Sequence, residues 1–186
     1  TTTATQLSSS DAALRRLRSL HPRSIDLGLE RCEDLLAKCG SPQAVLPSPI
    51  HIAGTNGKGS TLAMLRAGLS TGGGVVHAYT SPHLVRFHER IFVRGRPISE
   101  PELAALLHEV EAINGGEPIT FFEVTTCAAM LAFARTPADY TLLEVGMGGR
   151  LDATNADGLS PALCIITPVS LDHQDFLGDT IEAIAR

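Results

Sequence analysis

Tryptophan is absent from the 186 residues, tyrosine occurs twice, and aromatic residues make up only 4% of the chain. With so few rings, the interior must be filled by aliphatic side chains. Hydrophobic residues reach 44%, enough for one domain with a real core. Positive charge is also short: 15 Lys and Arg against 20 Asp and Glu leave a net charge of -5. Nucleic acid and anionic membrane surfaces both need a basic face, so neither is expected as a partner. No apolar run approaches the length of a membrane span. The opening TTTATQLSSSDAAL lacks a basic region followed by an apolar one, so it does not read as a secretory signal. A Ser/Thr-rich frayed leader is expected there. The four cysteines, Cys32, Cys39, Cys127 and Cys164, form no C-x-x-C pair and no zinc-type spacing. Buried free thiols in a reducing cytoplasm are expected instead.

What is present is an alternation of short apolar runs and amphipathic stretches. Residues 8–20, SSSDAALRRLRSL, predict a helix capped by Ser10 or Asp11, and residues 26–38 a second one closed by Gly40 and Pro42. PIHIAG (49–54) reads as a strand running into a glycine loop, with a helix from about Lys58 to Leu69. GVVHAYT (74–80) and RIFVRG (90–95) read as strands on either side of the polar loop SPHLVRFHE. Helices are predicted from Ser99 to about Ile113, with Glu100 and Glu102 in the first turn, and through FFEVTTCAAMLAFA to Arg135. The strands YTLLEVG (140–146) and ALCIITPV (162–169) follow. Such a pattern predicts a three-layer α/β fold around a mostly parallel sheet covered on both faces. The closing DTIEAIAR begins as a capped helix of little more than a turn, so a longer parent chain is expected.

Chemistry gathers in three places. HIAGTNGKGS (51–60) resembles a phosphate-binding loop but departs from G-x-x-x-x-G-K-[ST], because Gly59 separates Lys58 from Ser60 and Thr61. The physics survives the change of spelling. Glycines at 54, 57 and 59 let backbone N–H groups turn toward an anion, a helix begins at Lys58, and its ammonium can reach β- and γ-phosphates. Ser60 or Thr61 can offer a hydroxyl to Mg²⁺. The second place is TLLEVGMGGR, where Glu144 stands at the carboxyl end of an apolar strand, the edge at which open parallel sheets carry their sites. The third is SLDHQDF, with Asp172, His173 and Asp175 in a loop at the same edge; histidine is not a preferred Mg²⁺ ligand, so these residues alone carry no assignment.

Taken together, IDLGLER (25–31), HIAGTNGKGS, YTSPHLVRFHERI (79–91), TFFEVTT (120–126), LLEVGMGGRLDATN (142–155) and SLDHQDFLGDTIEAIA (170–185) resemble the folylpolyglutamate synthase/dihydrofolate synthase enzymes of the Mur ligase superfamily. The glycine after the lysine is that family's own form of the loop. The resemblance implies ATP and Mg²⁺ as cofactors and ligation of L-glutamate to dihydropteroate or a reduced folate through an acyl phosphate. It implies a phosphate cradle of Gly54, Thr55, Asn56, Gly57, Lys58, Gly59 and Ser60, and metal ligation by Ser81, Glu144 and His173. Pterin-substrate contacts are implied for Thr120, Phe121, Phe122, Glu123, Val124, Thr125, Thr126 and Cys127, for Leu151, Asp152 and Ala153, and for Ser19, Leu20, His21 and Pro22. Lys58, Glu144 and His173 are the residues expected to serve catalysis, in a cytoplasmic monomer with no nucleic-acid or membrane partner. By the same resemblance, residues 1–186 correspond to most of an N-terminal ATP-binding domain. A carbamylated lysine just beyond Arg186 and a C-terminal domain would complete the enzyme, so this chain alone is expected to be inactive. A non-catalytic nucleotide-binding fragment and a Mur-type peptidoglycan ligase are the alternative readings.

Overall fold

The computed structural model describes residues 9–20 and 27–186. Helix α1 spans Ser9–Ser19 and α2 spans Glu30–Lys38. Strand β1 (Ile50–Ala53) leads into α3 (Lys58–Thr71), followed by β2 (Val76–Tyr79), β3 (Ile91–Val93) and the two-residue β4 (Arg96–Pro97). Helices α4 (Glu100–Asn114) and α5 (Phe121–Ala134) come next, then β5 (Tyr140–Glu144) and β6 (Leu163–Ile166). Two one-turn helices, α6 (Gln174–Leu177) and α7 (Ile181–Ile184), complete the order.

The six strands form one sheet in the order β4-β3-β2-β5-β1-β6. The pairs β2–β5, β5–β1 and β1–β6 are parallel, while β3 and β4 fold back antiparallel at one edge. Helix α3 covers one face, where Leu62 packs with Ile52, Val76, Ala78 and Leu142. The other face carries the larger core, built from α1, α2, α4 and α5 against Tyr79, Ile91 and Leu143. Helix α5 is buried continuously from Glu123 to Phe133. A helix apolar on all sides belongs in the middle of a layer, and α5 lies there, between the sheet and the outer helices. The three-layer α/β expectation therefore holds.

The helix starts follow from capping chemistry. In α4, the Glu102 N–H donates to Ser99 Oγ at 3.4 Å, and Glu102 Oε2 accepts the Ser99 N–H at 2.9 Å. Thr120 and Glu123 repeat the device at α5, at 3.1 and 2.7 Å. Several boundaries differ from expectation. Ser10 and Asp11 lie inside the first turn of α1 rather than capping it; Ser10 is buried and hydrogen-bonded to Glu100 on α4. Residues 27–29 precede α2, which starts at Glu30. The TPVSLDHQDFLG stretch (167–178) expected as loop contains α6, whose Leu177 side chain packs toward Gly148. Cys32 and Cys127 are buried as expected, whereas Cys39 is half-buried and Cys164 is exposed, because β6 is an edge strand that no further strand or helix covers among the described residues. Ile166 on that strand is 66% exposed.

A buried histidine makes the fold sensitive to acid. The His77 ring stacks on Phe133 at 4.8 Å, its Nδ1 accepts the Arg94 N–H at 3.2 Å, and its Nε2 pairs with the Thr136 carbonyl at 2.8 Å. Only the neutral Nε2–H tautomer satisfies both contacts. Burial accordingly pushes the His77 pKa below its ordinary 6.5, and burial does the same to His51. A depressed histidine pKa contributes stability that is present above pH 6.5 and lost as pH falls through the folded value. Melting temperature should therefore drop as pH goes from 7.5 toward 5, and His77→Gln should flatten that slope, with His51 and His83, both also lowered by burial, contributing to the remainder. Parallel melting curves for the two proteins would show that His77 does not titrate with folding.

Candidate functional site

The glycine loop is held open by its neighbours. At Gly54 the backbone has φ +121°, and a Cβ there would fall on the Thr167 side chain and 2.6 Å from its carbonyl oxygen, so only glycine fits. The N–H groups of Thr55 and Asn56 donate to the Pro168 carbonyl at 3.0 and 3.4 Å, and Thr55 Oγ1 accepts the Ser170 N–H at 3.0 Å. These bonds pin the loop to the segment after β6. Gly57, at φ +89°, turns the chain into α3. Among the described residues no acceptor serves the N–H groups of Gly57, Lys58, Gly59 or Ser60, which stand at the start of a 14-residue helix. Lys58 Nζ folds back to the carbonyls of Gly54 and Thr55, at 2.8 and 3.2 Å, so its charge sits over the loop. Unfilled donors, a helix N-terminus and an ammonium together make an anion site.

Glu144 ends β5, and its register partner on β1 is Ile52. The carboxylate is 3% exposed. Oε2 accepts hydrogen bonds from the Thr80 hydroxyl and from the Ser81 N–H, the latter at 3.1 Å. Both carboxylate oxygens lie 3.6 Å from where a Cβ at Gly59 would stand, so Glu144 faces the first turn of α3. No cationic side chain is within ion-pairing distance of it among the described residues. A buried carboxylate without a counter-ion invites a cation. Ser81 follows directly, and His173 stands at the N-cap of α6 with φ +50°. No cluster of three or more His, Cys, Asp or Glu suited to a metal occurs among the described residues. The donor set of one carboxylate, one hydroxyl and one imidazole suits Mg²⁺ only when phosphate oxygens and water complete the octahedron, which is how Mg²⁺ usually binds beside nucleotides.

Two cavities meet here. One, of about 130 Å³, is lined by Gly54, Thr55 and Lys58 on one side and by Gly146, Met147 and His173 on the other. The second, of about 430 Å³, is lined by Thr120, Phe121, Phe122, Glu123, Leu151, Asp152 and Ala153, together with Leu27, Gly28, Ser81, Pro82 and Arg90. Gly146, Met147 and His173 belong to both. Asp152 builds that shared wall: it accepts the N–H groups of Gly146, Met147 and Thr154 at 2.9–3.0 Å and the Thr154 hydroxyl at 2.5 Å. Burial raises the Asp152 pKa above its ordinary range, and these four bonds oppose the rise. Phe122 lies over Gly146 so closely that a Cβ there would come within 2.5 Å of the ring.

Not every residue of the expected substrate stretch reaches the second cavity. Val124, Thr125, Thr126 and Cys127 are fully buried inside α5; Thr125 and Thr126 bond the Tyr79 hydroxyl, and Cys127 Sγ lies 3.6 Å from Cys32 Sγ. Ser19 is exposed at the end of α1, with its hydroxyl on the Arg16 carbonyl, and Leu20 packs against the core. His21 and Pro22 lie outside the described residues. Sequence reasoning passed over Thr80, the first residue of the TSPH string, and Arg90, further along the same YTSPHLVRFHERI segment; the available signal was a hydroxyl next to Ser81 and a cation near the end of that segment.

A parallel strand, a glycine loop, a helix and a carboxylate at the tip of the adjacent strand define an α/β domain of the P-loop type. The profile of the Mur ligase middle domain matches residues 52–186, and the chain belongs to that family. Relatives point the same way. The dihydrofolate synthase/folylpolyglutamate synthase of Escherichia coli K12 is 41% identical over 175 residues, 93% of this chain and 40% of the relative. Escherichia coli FolC in complex with DHPP and ADP superposes with a TM-score of 0.85 at 38% identity, covering 96% of this chain and 43% of that one. A bifunctional folylpolyglutamate synthase/dihydrofolate synthase with Mn, AMPPNP and L-glutamate bound gives a TM-score of 0.84 at 38% identity, over 96% and 42%. The chain thus spans about two fifths of the length of the relatives it matches.

Proposed function

We propose that this chain is the ATP-binding domain of a ligase that joins L-glutamate to dihydropteroate or a reduced folate. The observation that carries the reading is the shared wall: the loop that would hold triphosphate and the aromatic cavity that would hold a flat acid meet at Gly146, Met147 and His173. An acid bound in the larger cavity would present its carboxylate to the γ-phosphate. Its oxygen attacks phosphorus and ADP leaves; the amine of L-glutamate then attacks the acyl carbon and phosphate leaves. Positioning and charge neutralisation are what the protein must supply.

Gly57–Ser60 and Lys58 Nζ would hold the phosphates, and Phe121 and Phe122 would stack along the pterin ring. Glu144, Ser81 and His173 would hold Mg²⁺, which supplies neutralisation of phosphate charge when bound. Glu144 is oriented for this by Thr80 and by the Ser81 N–H. No helix among the described residues is long and apolar enough to cross a membrane; a cytoplasmic monomer with small-molecule substrates is part of the reading.

A substrate panel on the native-length protein tests it. ATP-dependent phosphate release should require both L-glutamate and dihydropteroate or a folate, and should not occur with a UDP-linked peptidoglycan precursor. Turnover with the UDP-linked acceptor alone would move the protein to the peptidoglycan ligases. The 40% span also favours a second reading for the 186-residue chain by itself, a nucleotide-binding unit without turnover. Nucleotide affinity with no phosphate release from this chain, beside full activity of the native-length protein, is the expected pair of results.

A further inference from the structure

Arg90 is the only arginine among the described residues that lines the larger cavity. Arg16, Arg31, Arg96 and Arg135 each have a carboxylate within ion-pairing distance. Arg90 has none among the described residues, yet it is half-buried and lines the acceptor cavity. It is also firmly placed. Its backbone carbonyl accepts the Thr80 N–H at 2.9 Å, which sets it beside Ser81. Its Nε donates to His83 Nδ1 at 2.9 Å, and its guanidinium lies over the Phe87 ring, 4.9 Å from the centroid. The His83 ring in turn stands edge-on to Phe87 at 5.6 Å.

A second cation makes the corner more positive still. Arg18, over the Phe121 ring at 4.9 Å, likewise has no carboxylate within ion-pairing distance among the described residues. Burial lowers the Arg90 pKa and the Arg18 charge adds to that, while Tyr79 and Glu144 oppose it. Two guanidinium groups held near one another on aromatic rings, with no carboxylate in ion-pairing distance among the described residues, form a site prepared for an anion.

The location fixes which anion. Arg90 lines the same cavity as Phe121 and Phe122 and adjoins Ser81; the two acids on that lining, Glu123 and Asp152, are already engaged, by Arg31 and the Thr120 N–H and by the 146–154 turn. We infer that Arg90 binds the carboxylate of the acceptor acid and turns it toward the γ-phosphate. The assignment rests on the ligase reading above and adds to it the residue that recognises the reacting group. A carboxylate approaching a triphosphate meets like charge; a guanidinium at its side offsets that repulsion and holds one oxygen in line.

Binding of dihydropteroate and of its carboxamide, followed by fluorescence titration on the native-length protein, separates this role from a structural one. The wild type should bind the acid about tenfold or more tightly than the amide, the range of a charge-assisted hydrogen bond. Arg90→Gln should bind both equally, at the amide's wild-type affinity, while Arg90→Lys should keep part of the preference. In turnover the Arg90→Gln defect should fall mainly on KM for the acid. An unchanged acid-to-amide ratio in Arg90→Gln, or an equal loss for both ligands, would overturn the inference. So would equal wild-type affinity for acid and amide. If the wild type binds neither compound, the acceptor assignment itself fails, and the role of Arg90 with it.

Discussion

Lys58→Ala should lower ATP-dependent glutamate ligation by about 10²–10³-fold in the native-length enzyme, the size of effect seen when one preorganised donor to a developing anion is removed. The reason is local. Lys58 Nζ is tethered to the carbonyls of Gly54 and Thr55, so its charge is already in place before nucleotide arrives. Alanine removes that charge and leaves two loop carbonyls without a donor, but it leaves Gly57 and the start of α3 intact. Phosphate release in a single turnover should therefore collapse while nucleotide binding weakens less. Stopped-flow phosphate detection beside nucleotide titration checks this, with a melting curve to confirm the fold. Turnover near the wild-type rate would mean that the phosphates lie elsewhere.

Glu144→Gln should be the second large loss, and it carries an unusual signature. Glutamine keeps the shape and can still accept from Thr80 or from the Ser81 N–H, but it removes a buried charge that has no cationic partner among the described residues. The metal-free variant should melt no lower than the wild type, because burying a neutral amide costs less than burying an unpaired carboxylate. Activity should fall by about 10²-fold or more, with the Mg²⁺ concentration for half-maximal rate raised about tenfold or more. Stability retained together with function lost is the pattern of a group kept for chemistry rather than folding. A Mg²⁺ titration that superimposes on the wild type would remove Glu144 from the metal site, whatever happens to the rate.

Sheet and helices were legible in the sequence for identifiable reasons. YTLLE and IHIA are apolar runs too short for helices, and both sit buried in mid-sheet. Ser99 with Glu102 and Thr120 with Glu123 announce helix starts through capping boxes that the structure contains. Legibility failed where tertiary context decides. Nothing in RIFVRG says that β3 pairs antiparallel with β2, because direction is set by the return of the 80–90 segment to the sheet edge. ALCII reads as a buried strand and is an edge strand instead. At the candidate site, glycines and Glu144 advertise themselves by position. Arg90 does not, since its interest lies in the carboxylate it lacks, and a missing partner is visible only in three dimensions. Asp152 is similar: its four hydrogen bonds to the 146–154 turn give it a role in shaping the wall between cavities that the string RLDATN alone does not disclose.

The pairing of Ile52 with Glu144 has a consequence for how this domain tolerates change. The strand that feeds the glycine loop and the strand that ends in the carboxylate are neighbours in one ladder, so the spacing of these two groups is dictated by backbone hydrogen bonds across the sheet. A slip of one residue would turn Glu144 to the opposite face. Insertions in the turn after α4, where Gly115 and Gly116 both have positive φ, do not touch that ladder. Length variation and engineered fusions should therefore be accepted at Gly115–Gly116, while a single deletion within 49–54 or 140–146 should separate the two halves of the site without necessarily unfolding the rest.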